Sequence, residues 1–292
     1  MPATNKIVLG TVQFGLEYGI NNNSGKPNKE TIKSILDFAF QNNIRLLDTA
    51  EEYGDSQEVI GSYHKISSNK FNIITKFSHR RDNLSKNLTT RIYQNLKTLN
   101  VDSFYSYMFH SFTDFKTYFY LYKNEIKQLK KEGVIGRFGV SVYTNQETER
   151  LLEYDMIDLI QLPFNLLDNN NQRSEIIKKA KDKGIEIHTR STFLQGLFFK
   201  NEIPHKLLNL KPYLNRVNEI SKEKNISLNN LALNYVCQQR NIDKILIGVD
   251  SVSQLEENVR SLRNQISLET VKKIDSINVL ETSLLNPSNW SI

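Results

Sequence analysis

The stretch FYSYMFHSFTDFKTYFYLYKNEIKQLKKEGVIGRFGV, residues 104–140, contains the repeating unit that decides the fold. It starts with the apolar run Phe104–His110 and ends with a second run, Ile135–Val140. Between them, apolar side chains recur every three or four residues, as they do on one face of a helix: Phe115, Phe119, Tyr122, Ile126 and Leu129. Gly133 follows a basic last turn and marks the end of that helix. The stretch therefore predicts a strand, a helix and a strand.

The same alternation extends over the whole chain. Eight runs are too apolar to be half-exposed, as is typical of parallel strands covered on both faces: Lys6–Gly10, Arg45–Asp48, Asn72–Lys76, Phe104–His110, Ile135–Val140, Leu159–Leu162, Glu186–Arg190 and Lys244–Gly248. No linker rich in Pro, Gly or Ser separates the units, so we predict an α/β fold, a single (β/α)8 barrel domain over residues 1–292. The chain has more helix than eight units need, in Pro212–Lys224, Leu228–Gln239 and Leu268–Leu280.

An open, doubly wound sheet is the alternative architecture. It usually has a glycine-rich phosphate turn after its first strand. The segment Leu9–Gly15 does not give that glycine spacing.

Composition restricts the class of protein. The formal charge is +6, but the lysines lie at helical spacing and form no long basic block, so we expect no nucleic-acid partner. Cys237 is the only cysteine, which excludes an intrachain disulfide. No apolar run approaches the roughly 18 residues of a membrane span, and the first residues do not resemble a signal peptide. We expect a cytoplasmic protein.

Several strands end in a polar residue. In a (β/α)8 barrel the active site forms where the strands end at their carboxyl edge, so these side chains are expected to converge: Asp48, Lys76, His110, Gln161 and Arg190. The other histidines lack partners at metal-ligand spacing, and Lys76 would repel a cation between Asp48 and His110. We therefore expect no metal.

Tyr53 lies five residues after Asp48 and adds a phenol to this set. A phenol has a pKa of about 10, which a nearby ammonium lowers by stabilising the phenolate. A carboxylate beside the ammonium would keep it charged, and a histidine would hydrogen-bond a substrate oxygen. Such a group suits the reduction of a carbonyl, in which hydride goes to carbon and a proton goes to oxygen.

The segment Asp48-Thr49-Ala50-Glu51-Glu52-Tyr53-Gly54 resembles the Asp-Thr-Ala-x-x-Tyr-Gly motif of the aldo-keto reductases. The resemblance extends from Leu9-Gly10-Thr11 to Gln254–Asn258. It implies that Tyr53 is the general acid, that Lys76 lowers its pKa and that Asp48 pairs with Lys76. It also implies that His110 orients the substrate carbonyl.

The resemblance implies a nicotinamide cofactor as well. Ser141 and Gln161 match positions that bind the nicotinamide amide, although Val142 stands where the family often has asparagine. Arg190 stands where an aromatic ring commonly stacks on nicotinamide, and a flat guanidinium can take that place. The remaining positions implied to bind the cofactor lie at the strand ends and at the start of a late helix: Gly10, Thr11, Ser191, Phe193, Gly196, Gly248, Asp250, Ser251, Gln254 and Asn258.

The late helix bears on which nicotinamide cofactor is used. Ser251 with Gln254, and Ser253 with Glu256, have capping-box spacing, and a helix N-terminus is suited to a phosphate. The resemblance to the family implies that the cofactor is NADPH. Several relatives have Lys or Arg here to bind the 2′-phosphate, whereas this chain has Asp250, which leaves NADH as an option.

The expected substrate is an aldehyde or ketone on a small polar molecule. The loop Phe14–Asn28 and the segment Pro163–Arg173 are expected to border its pocket, with the tail around Trp290 either packed over the mouth or exposed. Gln161–Asp168 and the Asn286-Pro287…Trp290 ending resemble the branch of the family that accompanies bacterial surface-sugar synthesis, which implies a sugar carbonyl.

Two other functions stay open at the sequence level. One is a regulatory subunit that binds the cofactor and senses redox state with little turnover. The other is a Schiff-base enzyme acting through Lys76, against which the paired Asp48 argues because it keeps the amine protonated. The sequence does not predict an oligomeric state.

Overall fold

Eight strands form one closed barrel in the computed structural model, which describes residues 3–22, 25–79 and 87–290. In chain order, β1–β8 are Ile7–Gly10, Leu46–Asp48, Asn72–Phe77, Ser106–Phe109, Phe138–Ser141, Leu159–Pro163, Glu186–Arg190 and Lys244–Gly248. Every neighbouring pair is parallel, and β1 pairs with β8 from Ile7↔Ile245 to Gly10↔Gly248. The predicted (β/α)8 barrel with extra C-terminal helices is confirmed.

Helices follow the strands and form the outer layer. In chain order, α1–α11 are Val12–Gly15, Lys29–Gln41, Ser56–Ile66, Leu88–Leu99, Phe112–Lys131, Asn145–Leu151, Asn170–Asp182, Lys211–Lys224, Leu228–Cys237, Val252–Ser261 and Leu268–Asp275. Five short 3₁₀ turns lie at Ala3–Lys6, Leu194–Phe199, His205–Leu210, Thr282–Leu285 and Pro287–Asn289. Over the described ranges, no helix is both long and apolar enough to cross a membrane.

The core has two parts, as the alternation of side chains along each strand requires. A small set fills the barrel interior: Val8, Leu46, Ile74, Met108, Leu159 and Leu246. The larger set lies between the sheet and the helices and includes the stripe of α5, from Phe115 to Leu129. The apolar strands are thus buried on both faces.

The predicted helix stop at Gly133 is confirmed, and Gly184 follows α7 in the same backbone conformation. Gly133 and Gly184 have φ of 74° and 76°, which an L side chain rarely adopts. A Cβ at either position would meet nothing within 4 Å, so the backbone angle alone favours glycine there.

Some predicted boundaries are wrong. The last helix ends at Asp275 and not at Leu280, because Asn169 donates from Nδ2 to the carbonyls of Ile274 and Ile277, at 2.8 and 2.9 Å. Phe104 forms only an isolated bridge to Ile135, and the strand that follows it begins at Ser106.

Candidate active site

A cavity of about 720 Å³ opens at the carboxyl ends of the strands. Asp48 at the end of β2, Ser141 at the end of β5 and Arg190 at the end of β7 contribute to its wall. Because all strands are parallel, these ends meet at one rim, as the sequence predicted. Asn23 and Ser24 of the predicted substrate loop lie outside the described residues.

Asp48 and Lys76 form a buried ion pair at the base of the cavity. Each residue is 1% exposed, and Lys76 Nζ also donates to the Thr49 carbonyl at 3.2 Å. The second carboxylate oxygen of Asp48 accepts from Gln161 Nε2 at 2.9 Å. Since both charges have partners, the pair is held in one geometry. Asp48 and Gln161 line the cavity, whereas Lys76 lies behind them.

Tyr53 extends into the cavity from the loop between β2 and α3. Lys76 Nζ lies 5.3 Å from the centroid of its ring, and the His110 ring lies edge-to-face at 5.6 Å. The four side chains implied by the motif are therefore in one place.

The protonation state of the Tyr53 phenol differs from the sequence expectation. Burial raises its pKa well above the ordinary 10, the Asp48 carboxylate raises it further and the Arg190 guanidinium opposes them. The expectation from the sequence included neither the effect of the Asp48 charge on the phenol nor the effect of burial. Burial also lowers the pKa of Lys76, while Asp48 opposes that shift. Tyr53 is thus neutral at pH 7 and carries the proton that an acid must give.

His110 follows β4 and lines the cavity on the side of Tyr53. Its Nδ1 lies 3.2 Å from Glu52 Oε2, so a carboxylate lies beside the imidazole. Glu52 Oε1 also accepts from the Ser78 hydroxyl.

Glu51 anchors the loop that carries Tyr53. Its side chain is 2% exposed and pairs with Arg91 of α4. It also accepts from Asn95 at 2.6 Å and from the Tyr107 hydroxyl at 3.1 Å. A buried carboxylate with this many donors fixes the backbone beside Tyr53.

Gly15 and Gly54 bring the end of α1 against the same loop. A Cβ on Gly15 would lie 1.8 Å from the Tyr53 carbonyl oxygen, and one on Gly54 would lie 2.3 Å from the Gly15 carbonyl oxygen. The backbones are therefore in direct contact. This explains physically why a glycine follows Tyr53.

The residues predicted to bind a cofactor lie, with one exception, on the wall of this cavity: Gly10, Thr11, Ser141, Gln161, Arg190, Ser191, Phe193, Gly196, Gly248, Asp250, Gln254 and Asn258. The exception is Ser251, whose hydroxyl accepts from the Gln254 amide at 3.2 Å and caps α10. Gln254 does not complete the predicted capping box, because its Oε1 accepts from the Asp250 amide at 2.8 Å.

The loop after α1 contacts two other segments near the mouth of the cavity, one at Gln195 and one at Asp250. The Ile20 amide donates to the Gln195 carbonyl at 3.2 Å, and Gln195 Nε2 donates to the Tyr18 hydroxyl at 2.7 Å. Asn22 Nδ2 contacts Asp250 Oδ1 at 3.4 Å. The predicted role of the loop after α1 as a border is thus supported.

The second predicted border, Pro163–Arg173, does not line the cavity. Its apolar residues are buried, and Asp168 forms an ion pair with Arg173 at 2.6 Å. The polar residues of that segment serve the packing of α7. Trp290 is 9% exposed and packs in the core, while its neighbours Pro287 and Ser288 reach the cavity wall.

Sequence reasoning missed several residues of the wall, among them Gln13, Tyr143, Gln195 and Glu257. Glu257 lies three residues after Gln254 on α10, so helical spacing alone would have found it. Tyr143 and Gln195 lie in loops, where spacing predicts no direction for a side chain.

Comparison with known proteins agrees with this fold. Residues 6–279 match the aldo/keto reductase family, and the chain belongs to that family. It is therefore an oxidoreductase of a family that uses nicotinamide cofactors.

Individual relatives are distant. The chain is 24% identical over 274 residues to the NADH-specific methylglyoxal reductase of Escherichia coli K12, covering 81% of this chain and 83% of that protein. It is 28% identical over 152 residues to the uncharacterized oxidoreductase C215.11c of Schizosaccharomyces pombe, covering 52% of this chain and 45% of that protein. The fold matches aldo-keto reductase AKR11C1 from Bacillus halodurans, in its holo form, with a TM-score of 0.75 at 18% identity over 94% of this chain and 92% of that one.

Proposed function

We propose that this protein reduces an aldehyde or ketone on a small polar molecule with NADH, and that Tyr53 is its general acid. The observation that carries the proposal is the placement of Tyr53, His110 and Asp48 on one cavity wall with Lys76 paired behind them. When bound, the reduced nicotinamide supplies hydride to the carbonyl carbon.

Side chains of the protein donate a proton and a hydrogen bond to the carbonyl oxygen of the substrate. The neutral Tyr53 hydroxyl gives its proton to the carbonyl oxygen as negative charge develops there, and His110 hydrogen-bonds the same oxygen. The Lys76 ammonium then stabilises the phenolate left on Tyr53, while Asp48 keeps Lys76 charged. Solvent returns a proton to Tyr53, so one hydride and one proton are consumed for each alcohol formed.

The cofactor-facing roles follow the cavity wall. Ser141, Gln161 and Arg190 would meet the nicotinamide end, while Thr11 and the segment Ser191–Gly196 would border the pyrophosphate. Gln161 keeps its side-chain oxygen as an acceptor for an amide, because its nitrogen is bonded to Asp48. The polar side chains along the wall fit a dinucleotide.

We propose that the cofactor is NADH, although the resemblance to the family implied NADPH. Asp250 and Glu257 both line the α10 end of the cavity, and Arg190 is the one Lys or Arg on the described part of the wall. A 2′-phosphate placed there would face two carboxylates without a cation, whereas a ribose hydroxyl can donate to a carboxylate. The E. coli relative is also described as NADH-specific.

The substrate class rests on the polar wall and on the resemblance to the branch associated with surface-sugar synthesis, which favours a sugar carbonyl. A Schiff base on Lys76 is disfavoured, because that amine is 1% exposed and does not reach the cavity wall. We propose a cytoplasmic enzyme.

The test is cofactor oxidation over a panel of keto-sugars and simple aldehydes, with wild type and Tyr53→Phe. Removing the acid is expected to lower kcat by about 10²- to 10⁴-fold, while the Kd for NADH stays within a few-fold. Tyr93→Phe is the matched control, since Tyr93 is 49% exposed on α4 and should leave kcat unchanged. A Tyr53→Phe enzyme with more than a tenth of wild-type kcat would contradict the proposal.

A further inference from the structure

Arg190 is a cationic side chain that forms no ion pair with an acidic side chain of the described residues. It lies at the end of β7 and is half-buried in the cavity wall. Nη2 donates to the Val142 carbonyl at 3.0 Å, and the guanidinium carbon lies 4.0 Å from the centroid of the Tyr143 ring. No carboxylate of the described residues forms an ion pair with it.

The other cation near the reaction centre is already compensated. Lys76 is paired with Asp48, so together they contribute little net charge at a distance. The other acidic residues of the wall, Asp250 and Glu257, make no ion pair with Arg190 in the described structure, and Asp48 is already paired with Lys76.

The position of this charge follows from the proposed chemistry, on which this inference rests. Hydride must reach a carbon one bond away from the oxygen that Tyr53 and His110 contact. The hydride donor ring therefore lies at the Tyr53 end of the cavity, which Arg190 also lines. The influence of Arg190 on the pKa values of both Tyr53 and Lys76 is consistent with this closeness.

We infer that Arg190 makes the site select the reduced cofactor over the oxidised one. The dihydronicotinamide ring is neutral, whereas the oxidised ring carries a positive charge. A fixed guanidinium beside the ring opposes the cationic form and leaves the neutral form unaffected, because only two charges repel. The Tyr143 ring covers one face of the guanidinium, and the other face can lie flat against the neutral ring.

This selection has a consequence for turnover. A reductase that releases the oxidised cofactor readily is less inhibited by it. An aromatic side chain at the same position could also stack on the ring, but its face attracts a cation and would therefore favour the oxidised form.

Wild type alone provides a first test, by isothermal titration with NADH, NAD⁺ and ADP-ribose. ADP-ribose lacks the nicotinamide ring, so it reports the affinity of the remainder of the cofactor. We expect NADH to bind at least about tenfold more tightly than NAD⁺, and NAD⁺ no more tightly than ADP-ribose. Equal affinities for NADH and NAD⁺ would overturn the inference. Failure to bind either would instead overturn the proposed function.

Substitution then assigns the effect to the charge. In Arg190→Gln the ratio of Kd for NAD⁺ to Kd for NADH should fall about tenfold, whereas Arg190→Lys should keep most of it. Arg216→Gln, the same change at a surface arginine of α8, should leave the ratio unchanged. If Arg190→Gln weakens both cofactors equally, Arg190 only stacks or supports the wall, and the inference is wrong.

Discussion

Tyr53 depends on a backbone contact with Gly15 as much as on its charged neighbours. The Gly15 Cα faces the Tyr53 carbonyl so closely that no side chain fits between them. The position of the phenol is thus set by α1, an element that carries none of the four motif residues.

We expect Gly15→Ala to displace the loop and to lower kcat/KM by about 10²-fold, because catalytic geometry tolerates little displacement. The free energy of unfolding should fall by about 1–3 kcal/mol as well. Urea unfolding and the cofactor-oxidation assay measure both effects.

Gly133→Ala is the control for Gly15→Ala. It should cost stability through its φ of 74° but keep wild-type activity per folded molecule. Equal activity losses in the two variants would show that the Gly15 contact has no special role.

The sequence predicted the identity of the site residues better than their energetics. Asp48, Lys76 and His110 lie at or next to the carboxyl ends of three neighbouring strands, so topology alone brings them to one rim. The pKa of Tyr53 depends on how much water the loop excludes and on the net charge of Asp48 with Lys76. Neither quantity is encoded in spacing.

At the scale of elements, α10 combines a helix start with a charged section of the cavity wall. Ser251 caps it, Asp250 lines the cavity just before the cap, and Gln254 and Glu257 line it from the first two turns. The sequence predicted this helix, its cap and the position of Gln254, and helical spacing from Gln254 leads to Glu257.

We expect the double variant Asp250→Asn, Glu257→Gln to bind NADPH at least about tenfold more tightly relative to NADH than wild type does. Removing two carboxylates removes repulsion on a 2′-phosphate but leaves a ribose hydroxyl with acceptors. Fluorescence titration with both cofactors measures the ratio.

Glu256→Gln, on the same helix but off the described cavity wall, should leave the ratio of NADPH affinity to NADH affinity unchanged. A wild-type enzyme that already prefers NADPH would contradict the electrostatic argument.

Strand and helix positions were predictable because periodicity is local. The end of α11 was not, since a buried amide from Asn169, more than a hundred residues away, takes its carbonyls. Long-range caps of this kind cannot be found from the sequence of the helix itself.

At the scale of the whole molecule, a charged cluster joins strands at the barrel end opposite the cavity. Glu186 of β7 accepts from the Tyr105 hydroxyl at 2.6 Å, contacts His188 Nε2 at 2.8 Å and pairs with Arg137 at 2.6 Å. Burial raises the pKa of Glu186, but the hydrogen bond and charge of His188, with Tyr105 and Arg137, outweigh it and bring the pKa to about 2.

Because the pKa is lower in the folded state, the carboxylate stabilises the fold above pH 4.5 and loses this effect as pH falls towards 2. We expect up to about 3 kcal/mol of the free energy of unfolding to disappear over that range. Urea unfolding at several pH values, in wild type and Glu186→Gln, measures the difference.

Glu186→Gln should show a flatter dependence on pH than wild type. Glu153→Gln, with its side chain 61% exposed, should show the wild-type dependence. The same slope in all three proteins would mean that Glu186 does not contribute.

The seam between β1 and β8 joins the first and last strands to be synthesised. The cavity draws its wall from both sides of that seam, from Gly10–Gln13 and from Gly248–Asn258. A nascent chain on the ribosome therefore has no complete cavity until the last strand and the following helix have emerged. Until then β1 and β7 each have an unpaired edge, which is the period when the growing chain most needs protection from aggregation.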